Sequence, residues 1–427
     1  MKRKFLLTAF IIPGILLFGQ VPDTLTLDFC YQQAEKTFPL SRQVDLLGNS
    51  SELRVKNLNK NWLPTLNLNG SASYQSAVTE VDIPVLAGQF QLSMPTLSKD
   101  WYKLTLDVNQ SIYDGSITKY QKKLESYNLQ SDQLGVRVEL YKLKDRINQV
   151  FFSIILSRET EDVLISTKQS LESKQKEVQS AVKNGIMLAT SEDAIRVELI
   201  RIDQELGNLR QDRSASFQML SELTSSVIPE TSFLVLPDVR LSSLAFEDRR
   251  LEYRLFEVQQ EKTGLLKNMV TTKWNPKFFA YGQAGYGRPG LNMLSDDFAP
   301  WWMIGAKLTW NFWNWNQNRN EKKIYDIQNN IISSQKEAFD KNLRIEADRG
   351  IAEILKLTDL LKQDQEIMDL REKITKSASS QLNNGTITSS EYISRLNEEI
   401  QSKLSMELHR IQLVRAKLSY LYTLGKL

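Results

Sequence analysis

The fold of this chain is decided by residues 116–182, which read SITKYQKKLESYNLQSDQLGVRVELYKLKDRINQVFFSIILSRETEDVLISTKQSLESKQKEVQSAV. The stretch contains no proline, and its only glycine is Gly135. Apolar residues recur every three or four positions, beginning with Tyr120, Leu124 and Tyr127. This spacing is typical of one face of an α-helix. At 1.5 Å per residue, such a helix would be about 100 Å long, whereas helices of globular domains usually run to roughly 8–20 residues.

Two stretches before this helix, residues 65–76 and 102–113, alternate apolar and polar side chains. A period of two is typical of β-strands. Each stretch is about 10 residues long, which suits a tilted strand that crosses a membrane. A soluble hairpin with one wet face gives the same alternation. The small, uncharged apolar face favours the membrane, and the soluble alternative stays open.

A turn at Asn184-Gly185 ends the long helix, because glycine after asparagine is a strong turn signal. A second amphipathic helix over 191–224 then returns and completes a helical hairpin. Ahead of the strands, an amphipathic helix is predicted over about 28–62. It ends before Pro64, since proline cannot continue a helix.

The same order of elements recurs about 200 residues later. The second copy is predicted to contain a helix over 243–273, strands over 277–287 and 301–313, a long helix over 314–383 and a return helix over 390–424. All eleven prolines lie outside the two helical hairpins. The chain is therefore predicted to be an internal duplication, with repeats at 21–226 and 243–427 and a linker at 227–242.

The first 20 residues have the composition of a secretory signal peptide. Lys2, Arg3 and Lys4 precede the apolar run 5–18, which is too short for a typical membrane-spanning helix. A retained membrane anchor is the alternative. The lone cysteine, Cys30, is interpreted as a buried free thiol rather than a lipid attachment site.

Composition argues against several classes of function. A net charge of +3 is no signature of polyanion binding, so nucleic acid is not expected as a partner. A single histidine, His409, argues against a His-rich metal site and most His-based catalysis; we interpret it as a packed or surface helix residue. We expect no catalytic residues, no cofactor and no metal site, and hence no enzyme.

Strand counting predicts an oligomer. One chain supplies four strands, whereas a closed barrel in lipid needs at least about eight and leaves no edge unpaired. If the strands lie in a membrane, several copies must therefore share one barrel. Three copies give twelve strands, and the count alone also permits a dimer.

The order of these motifs resembles the outer membrane efflux protein family, of which TolC is the namesake. The residues that carry the resemblance are Leu25-Thr26-Leu27, Leu63-Pro64-Thr65-Leu66, Ile112-Tyr113-Asp114-Gly115, and the two hairpin tips, Asn184-Gly185 with Ser191-Glu192 and Asn384-Gly385 with Ser390-Glu391. The resemblance covers essentially the whole mature chain. No single motif is specific to the family, but their order and duplication are.

The resemblance implies a mainly α fold with a membrane β-barrel. Each chain contributes duplicated strand hairpins and long helical hairpins to a homotrimer. The trimer forms a 12-stranded barrel in the outer-membrane lipid of a Gram-negative bacterium and an α-helical barrel in the periplasm. It also implies a tripartite efflux complex with a periplasmic adaptor and an inner-membrane pump that exports drugs, toxins or metal ions. An exit duct for type I protein secretion and a periplasmic coiled-coil scaffold without a channel are the alternatives.

Three groups of candidate site residues follow. The tips, predicted to contact the adaptor or to be plain turns, contain Gly185, Ile186, Gly385, Thr386 and Ile387. Acidic residues that either line a pore constriction or cap helices are Glu192, Asp193 and Glu391. Aromatic residues predicted to form a membrane girdle are Tyr74, Trp302, Trp310 and Phe312.

The chain departs from the family pattern at two places. Trp315 stands in the second half where Gly115 stands in the first. The Ser-Glu pair also follows the tip glycine one residue earlier in the second half. No clear basic residue follows Gly385, so a charged gating latch cannot be carried over from relatives.

Overall fold

Long helices and one small sheet dominate the computed structural model, which describes residues 24–78, 97–241, 249–292 and 295–427. The predicted signal peptide lies outside the described residues, as does the start of the predicted helix at 243. The helices and strands are β1 Thr24–Leu25, α1 Leu27–Thr37, α2 Arg42–Asn59, β2 Thr65–Tyr74, β3 Asp100–Tyr113, α3 Ile117–Lys183, α4 Ala189–Thr224, β4 Phe233–Leu234, α5 Leu251–Met269, β5 Lys277–Arg288, β6 Ala299–Thr309, α6 Gln317–Asn383 and α7 Ser389–Thr423.

The chain divides into two compact units that do not coincide with its two sequence halves. The helical unit comprises residues 24–41, Glu139–Arg249 and Asn342–Leu427, and the sheet unit comprises Arg42–Val138 and Arg250–Lys341. Each unit takes residues from both halves, and α3 and α6 contribute to both units. Duplicated segments therefore pack beside each other within a unit.

The sheet unit is built on four antiparallel strands in the order β2-β3-β5-β6. The central pair, β3 and β5, joins the two halves of the chain. One register row runs Leu68, Leu106, Ala284 and Trp302 across all four strands. Among the described residues the outer edges of β2 and β6 have no strand partner, so one chain does not close the sheet.

Three strands lie within two residues of their predicted bounds, whereas β6 ends earlier than predicted. The alternation predicts a strand to residue 313, but β6 ends at Thr309. Thr309 pairs with Lys277, the first residue of β5, and Pro276 precedes it without a backbone N–H. Trp310 and Phe312 therefore lie just beyond the strand, where the indole Nε1 of Trp310 donates to the carbonyl of Trp274 at 2.9 Å.

The helical unit contains a core around α1, the middle of α3 and the end of α4. Cys30 is fully buried there, together with Phe151 and Leu220. Burial raises the pKa of the Cys30 thiol to about 12. The expectation of a buried free thiol is confirmed.

A short parallel pairing lies in the segment predicted to be an irregular linker. Phe233–Leu234 of the linker pairs with Thr24–Leu25, and Leu25 is fully buried. Two-residue strands are too short to give an alternating pattern, so sequence periodicity does not reveal this pairing.

A second core connects the two helical hairpins. Residues of α3 and α4, such as Leu171 and Ile195, pack in one cluster with Leu382 and Tyr392 of α6 and α7. The apolar stripes of the two hairpins therefore cover each other. No helix in the described parts of the chain is long and apolar enough to span a membrane.

Candidate functional site

Both hairpin tips have the same backbone turn. Gly185 and Gly385 have φ of 73° and 71°, in the left-handed region that glycine enters without steric penalty. The N–H of Ile186 donates to the carbonyl of Ala181 at 2.9 Å, and that of Thr386 donates to Gln381 at 2.9 Å. This pattern is the Schellman motif that commonly ends helices.

The return helices begin at equivalent positions, four residues after each tip glycine, at Ala189 and Ser389. The one-residue difference noted in the Ser-Glu pairs is therefore a difference of side chains rather than of loop length. Glu391 occupies the position equivalent to Ser191, and Glu192 the position equivalent to Tyr392.

The tips differ in how the return helices are capped. At α7, the Oγ1 of Thr388 accepts from the N–H of Glu391 at 3.2 Å, while the Glu391 carboxylate accepts from the N–H of Thr388 at 2.9 Å. This is a capping box, which satisfies two N–H groups at the start of a helix. At α4, Leu188 provides no capping side chain. The structure thus favours the helix-cap interpretation for Glu391.

The remaining tip candidates fall into exposed and packed groups. Ile186 is 69% exposed, and Thr386 and Asp193 are also exposed. Ile387 is half-buried and packs against the core that connects the hairpins. Glu192 is half-buried and accepts a hydrogen bond from Gln179 at 3.2 Å.

One face of the sheet is apolar and open. Ile304 is 77% exposed, and its neighbours on this face are similarly uncovered: Leu66, Leu68, Tyr74, Leu104, Leu106, Trp302 and Leu308. Of the predicted girdle residues, Trp302 lies near the start of β6, and Trp310 and Phe312 follow its end. Contiguous exposed apolar surface of this kind marks contact with lipid or protein.

The opposite face of the sheet carries most of its polar side chains. The Asp107 carboxylate of β3 accepts hydrogen bonds from Asn69 of β2 and Gln283 of β5, one on each side. By the alternation of the strands, Lys103 and Lys307 lie on this same face. The two faces of the sheet therefore differ in polarity.

The two junctions between a strand and a long helix differ at the position where the first half has Gly115 and the second has Trp315. Gly115 has φ of 72° and Trp315 has φ of 52°. A large residue in the left-handed region is strained, at about 1–2 kcal/mol. Sequence reasoning identified the glycine-to-tryptophan difference at this position but not its backbone conformation.

The chain's single histidine, His409, lies in the second helical hairpin. His409 Nδ1 lies 2.6 Å from the Asp364 carboxylate, between α7 and α6. In the described part of the chain, no group of histidine, cysteine, aspartate or glutamate side chains is arranged to hold a metal ion.

The similarity of this chain to known proteins is found in its structure and not in its sequence. No protein-family model and no curated protein sequence matches the chain. Solved structures do: CusC, described as forming a transmembrane channel, has a TM-score of 0.69 and 13% identity, covering 93% of this chain and 91% of that chain.

Two further neighbours come from named organisms. The CmeC outer membrane channel of Campylobacter jejuni has a TM-score of 0.67 and 11% identity, covering 94% of this chain and 85% of that chain. The outer membrane protein VceC of Vibrio cholerae has a TM-score of 0.67 and 12% identity, covering 93% and 96%. The chain therefore has the fold of these outer membrane proteins, in agreement with its resemblance to the outer membrane efflux protein family.

Proposed function

We propose that this protein is an outer-membrane channel through which small molecules leave the periplasm. The observation that carries the proposal is the open sheet, which in the described residues has one exposed apolar face, one mainly polar face and two edges without a strand partner. An unpaired edge in lipid leaves backbone N–H and C=O groups without partners, at several kcal/mol each. The sheet is therefore complete only when other copies continue it.

Three copies give the closed barrel proposed for the membrane. The exposed apolar face, with Leu68 and Ile304, then contacts lipid. The polar face, with Asp107 at its centre, then lines water. The family resemblance favours a trimer over the dimer that the strand count also allows.

The tips are proposed to contact a periplasmic adaptor, which connects the channel to an inner-membrane pump. The exposed side chains of Ile186 and Leu188 support this role. Apolar surface that is exposed to water adds no stability to the tip, whereas a partner protein that covers it would be stabilised by its burial. Gly185, Gly385, Thr386 and Ile387 belong to the same proposed contact. Glu192 and Asp193 are proposed to give the tip opening a negative charge, to which Glu391 adds its own charge while it caps α7.

The first experiment tests the channel itself. Detergent extracts of outer membranes should contain a trimer that resists SDS until heated, and the purified trimer should conduct ions in a planar bilayer. A mature protein that is monomeric and soluble without detergent contradicts the proposal. A stable trimer without conductance would instead support a scaffold.

A second experiment tests the tips. Gly385→Leu forces a branched side chain into a left-handed turn, whereas Gly207→Leu changes a glycine in a helix with no atom within 4 Å of an added Cβ. We expect Gly385→Leu to abolish efflux while the trimer remains in the membrane, and Gly207→Leu to retain efflux. Unchanged drug tolerance in Gly385→Leu contradicts the proposed adaptor contact. Loss of protein export with normal drug tolerance indicates type I secretion instead.

A further inference from the structure

The two halves of the chain make the same local contacts where each sheet strand leads into a long helix. Gln110 Nε2 donates to the carbonyl of Trp62 at 2.6 Å, and Trp310 Nε1 donates to the carbonyl of Trp274 at 2.9 Å. Gln110 and Trp310 lie 200 positions apart, and each tryptophan carbonyl belongs to a Trp-X-Pro segment. A contact seen in one half of the chain therefore indicates which residues are equivalent in the other half.

One junction between the halves is made within the chain. The side-chain amide of Asn275 donates to the carbonyl of Gly115 at 2.9 Å. The approach is close, because a Cβ added at Gly115 would lie 3.1 Å from the Cβ of Asn275. This contact continues the β3–β5 pairing beyond the end of the strands.

Among the described residues, the two sides of the equivalent junction do not meet within one chain, because they flank β2 and β6 at opposite edges of the sheet. By the repeat, Trp315 corresponds to Gly115, and Leu63, in Trp62-Leu63-Pro64, corresponds to Asn275. Trp315 is 81% exposed and Leu63 is 59% exposed. Where the first junction has a glycine carbonyl and an amide donor, the second has an indole and an apolar side chain.

We propose that Trp315 packs on Leu63 of the next copy of this chain, at an interface that repeats the β3–β5 pairing between β6 of one copy and β2 of the next. This inference rests on the proposed oligomeric channel and adds the register in which the strands of neighbouring copies pair. Leu106 pairs with Ala284 within the chain. The equivalent residues, Ala306 and Ala72, then face each other between copies.

The register follows from the alternation of the strands. A shift by one residue moves every apolar side chain of β2 to the hydrated face, so only shifts by two compete with the proposed pairing. The junction removes that remaining freedom, because Trp315 meets Leu63 in one register alone. Burial of the indole against Leu63 also offsets the strained backbone at Trp315.

Cross-linking tests the interface on the full-length chain with Cys30→Ala as the background. Leu63→Cys with Trp315→Cys tests the junction, and Ala72→Cys with Ala306→Cys tests the register. Ser71→Cys with Ala306→Cys is the matched control, because Ser71 lies on the opposite face of β2. A short dimaleimide is added to the membranes, and covalent products are separated on a denaturing gel after boiling.

We expect both test pairs to give covalent dimers and trimers, and the control pair to remain mostly monomeric. If the strand pair cross-links and the junction pair does not, the Trp315 contact is wrong while the channel stands. If the control pair cross-links instead, the register is wrong. A protein that is monomeric in detergent would overturn the channel proposal itself.

A second measurement does not depend on cysteines. Trp315→Gly removes both the backbone strain and the indole, and Trp315→Phe retains an aromatic ring. If the indole binds the next copy, Trp315→Gly should lower the temperature at which the trimer dissociates in SDS, and Trp315→Phe should change it less. An increase with Trp315→Gly would show that the side chain contributes only strain, and would overturn the contact.

Discussion

The indole of Trp301 lies against Gly285, its register partner in the sheet, so closely that a Cβ added to the glycine would stand 2.5 Å from the ring. Lys103 extends over the same indole, with its Nζ 4.8 Å from the ring centroid. Trp301 is 9% exposed, although it lies on the polar face of the sheet. The missing side chain at Gly285 is therefore what lets the indole lie this close to the neighbouring strand.

We expect Gly285→Ala to destabilise the protein by about 1–3 kcal/mol, as overpacking usually does. Gly282→Ala is the matched control in the same strand, because its added Cβ would lie 3.8 Å from Ile304, an ordinary contact. The temperature at which the proposed trimer dissociates in SDS measures both. Equal temperatures for the two variants would show that Trp301 moves aside without loss.

The capping difference between the tips gives a second prediction. Thr388→Ala removes the capping box of α7 and should cost about 1 kcal/mol of local stability. Leu188→Ala should cost less, since Leu188 makes no capping hydrogen bond. Hydrogen exchange of the first turn of each helix measures the effect. Equal protection of α7 in wild type and Thr388→Ala would contradict the prediction.

A third prediction concerns acid stability. Burial by itself raises the pKa of the Glu161 carboxyl, but hydrogen bonds from Arg213 and Arg210 outweigh it and hold that pKa below its usual value. The stability from this group is present above the ordinary glutamate pKa of about 4.3 and is lost as the pH falls through the lowered folded value.

Glu161→Gln should therefore reduce stability at neutral pH and weaken its dependence on pH below about 4.3. Glu172→Gln is the control, because that carboxylate lies 3.9 Å from Lys168 at the surface. Urea unfolding at a series of pH values distinguishes them. The same acid profile in wild type and Glu161→Gln would show that the arginine contacts do not affect stability.

Thiol chemistry gives a fourth prediction. The thiolate is the reactive form of cysteine, and burial raises the pKa of Cys30 to about 12. We expect no maleimide labelling of the folded protein at pH 7–8 within minutes and complete labelling in denaturant. Phe152→Ala, in the same core, should speed labelling by loosening the packing around the thiol. Rapid labelling of the native protein would contradict the burial.

The strands and long helices are predictable from sequence because each depends on local periodicity. Leu66 and Leu68 alternate with asparagines, and residues 116–182 contain no proline. The pairing of β3 with β5 is not predictable in this way, because periodicity does not identify a strand's neighbours. Trp310 and Phe312 continue the alternation past the end of β6, where Pro276 has already ended the pairing. Periodicity alone cannot detect that end.

Among the tip residues, sequence identified both left-handed glycines because Asn-Gly is a turn signal. The sequence did not decide whether Glu391 caps a helix or lines a pore, because a capping box and an exposed acidic ring both use glutamate. The spacing from Thr388 to Glu391 was a signal that could have decided for the cap. Thr24 and Phe233 lie in segments too short for any pattern, so their pairing is seen only in the folded structure.

The identical turns at Gly185 and Gly385 have one more consequence for the proposed trimer. A ligand that senses only the course of the main chain would meet six alike ends, arranged with nearly sixfold symmetry. A ligand that contacts side chains would distinguish the two kinds of tip. The tips of the first half carry the apolar residues Ile186 and Leu188, and those of the second half carry the hydroxyl groups of Thr386 and Thr388. The duplicated backbone would thus present six similar turns, while the different side chains would let a partner bind only three of them.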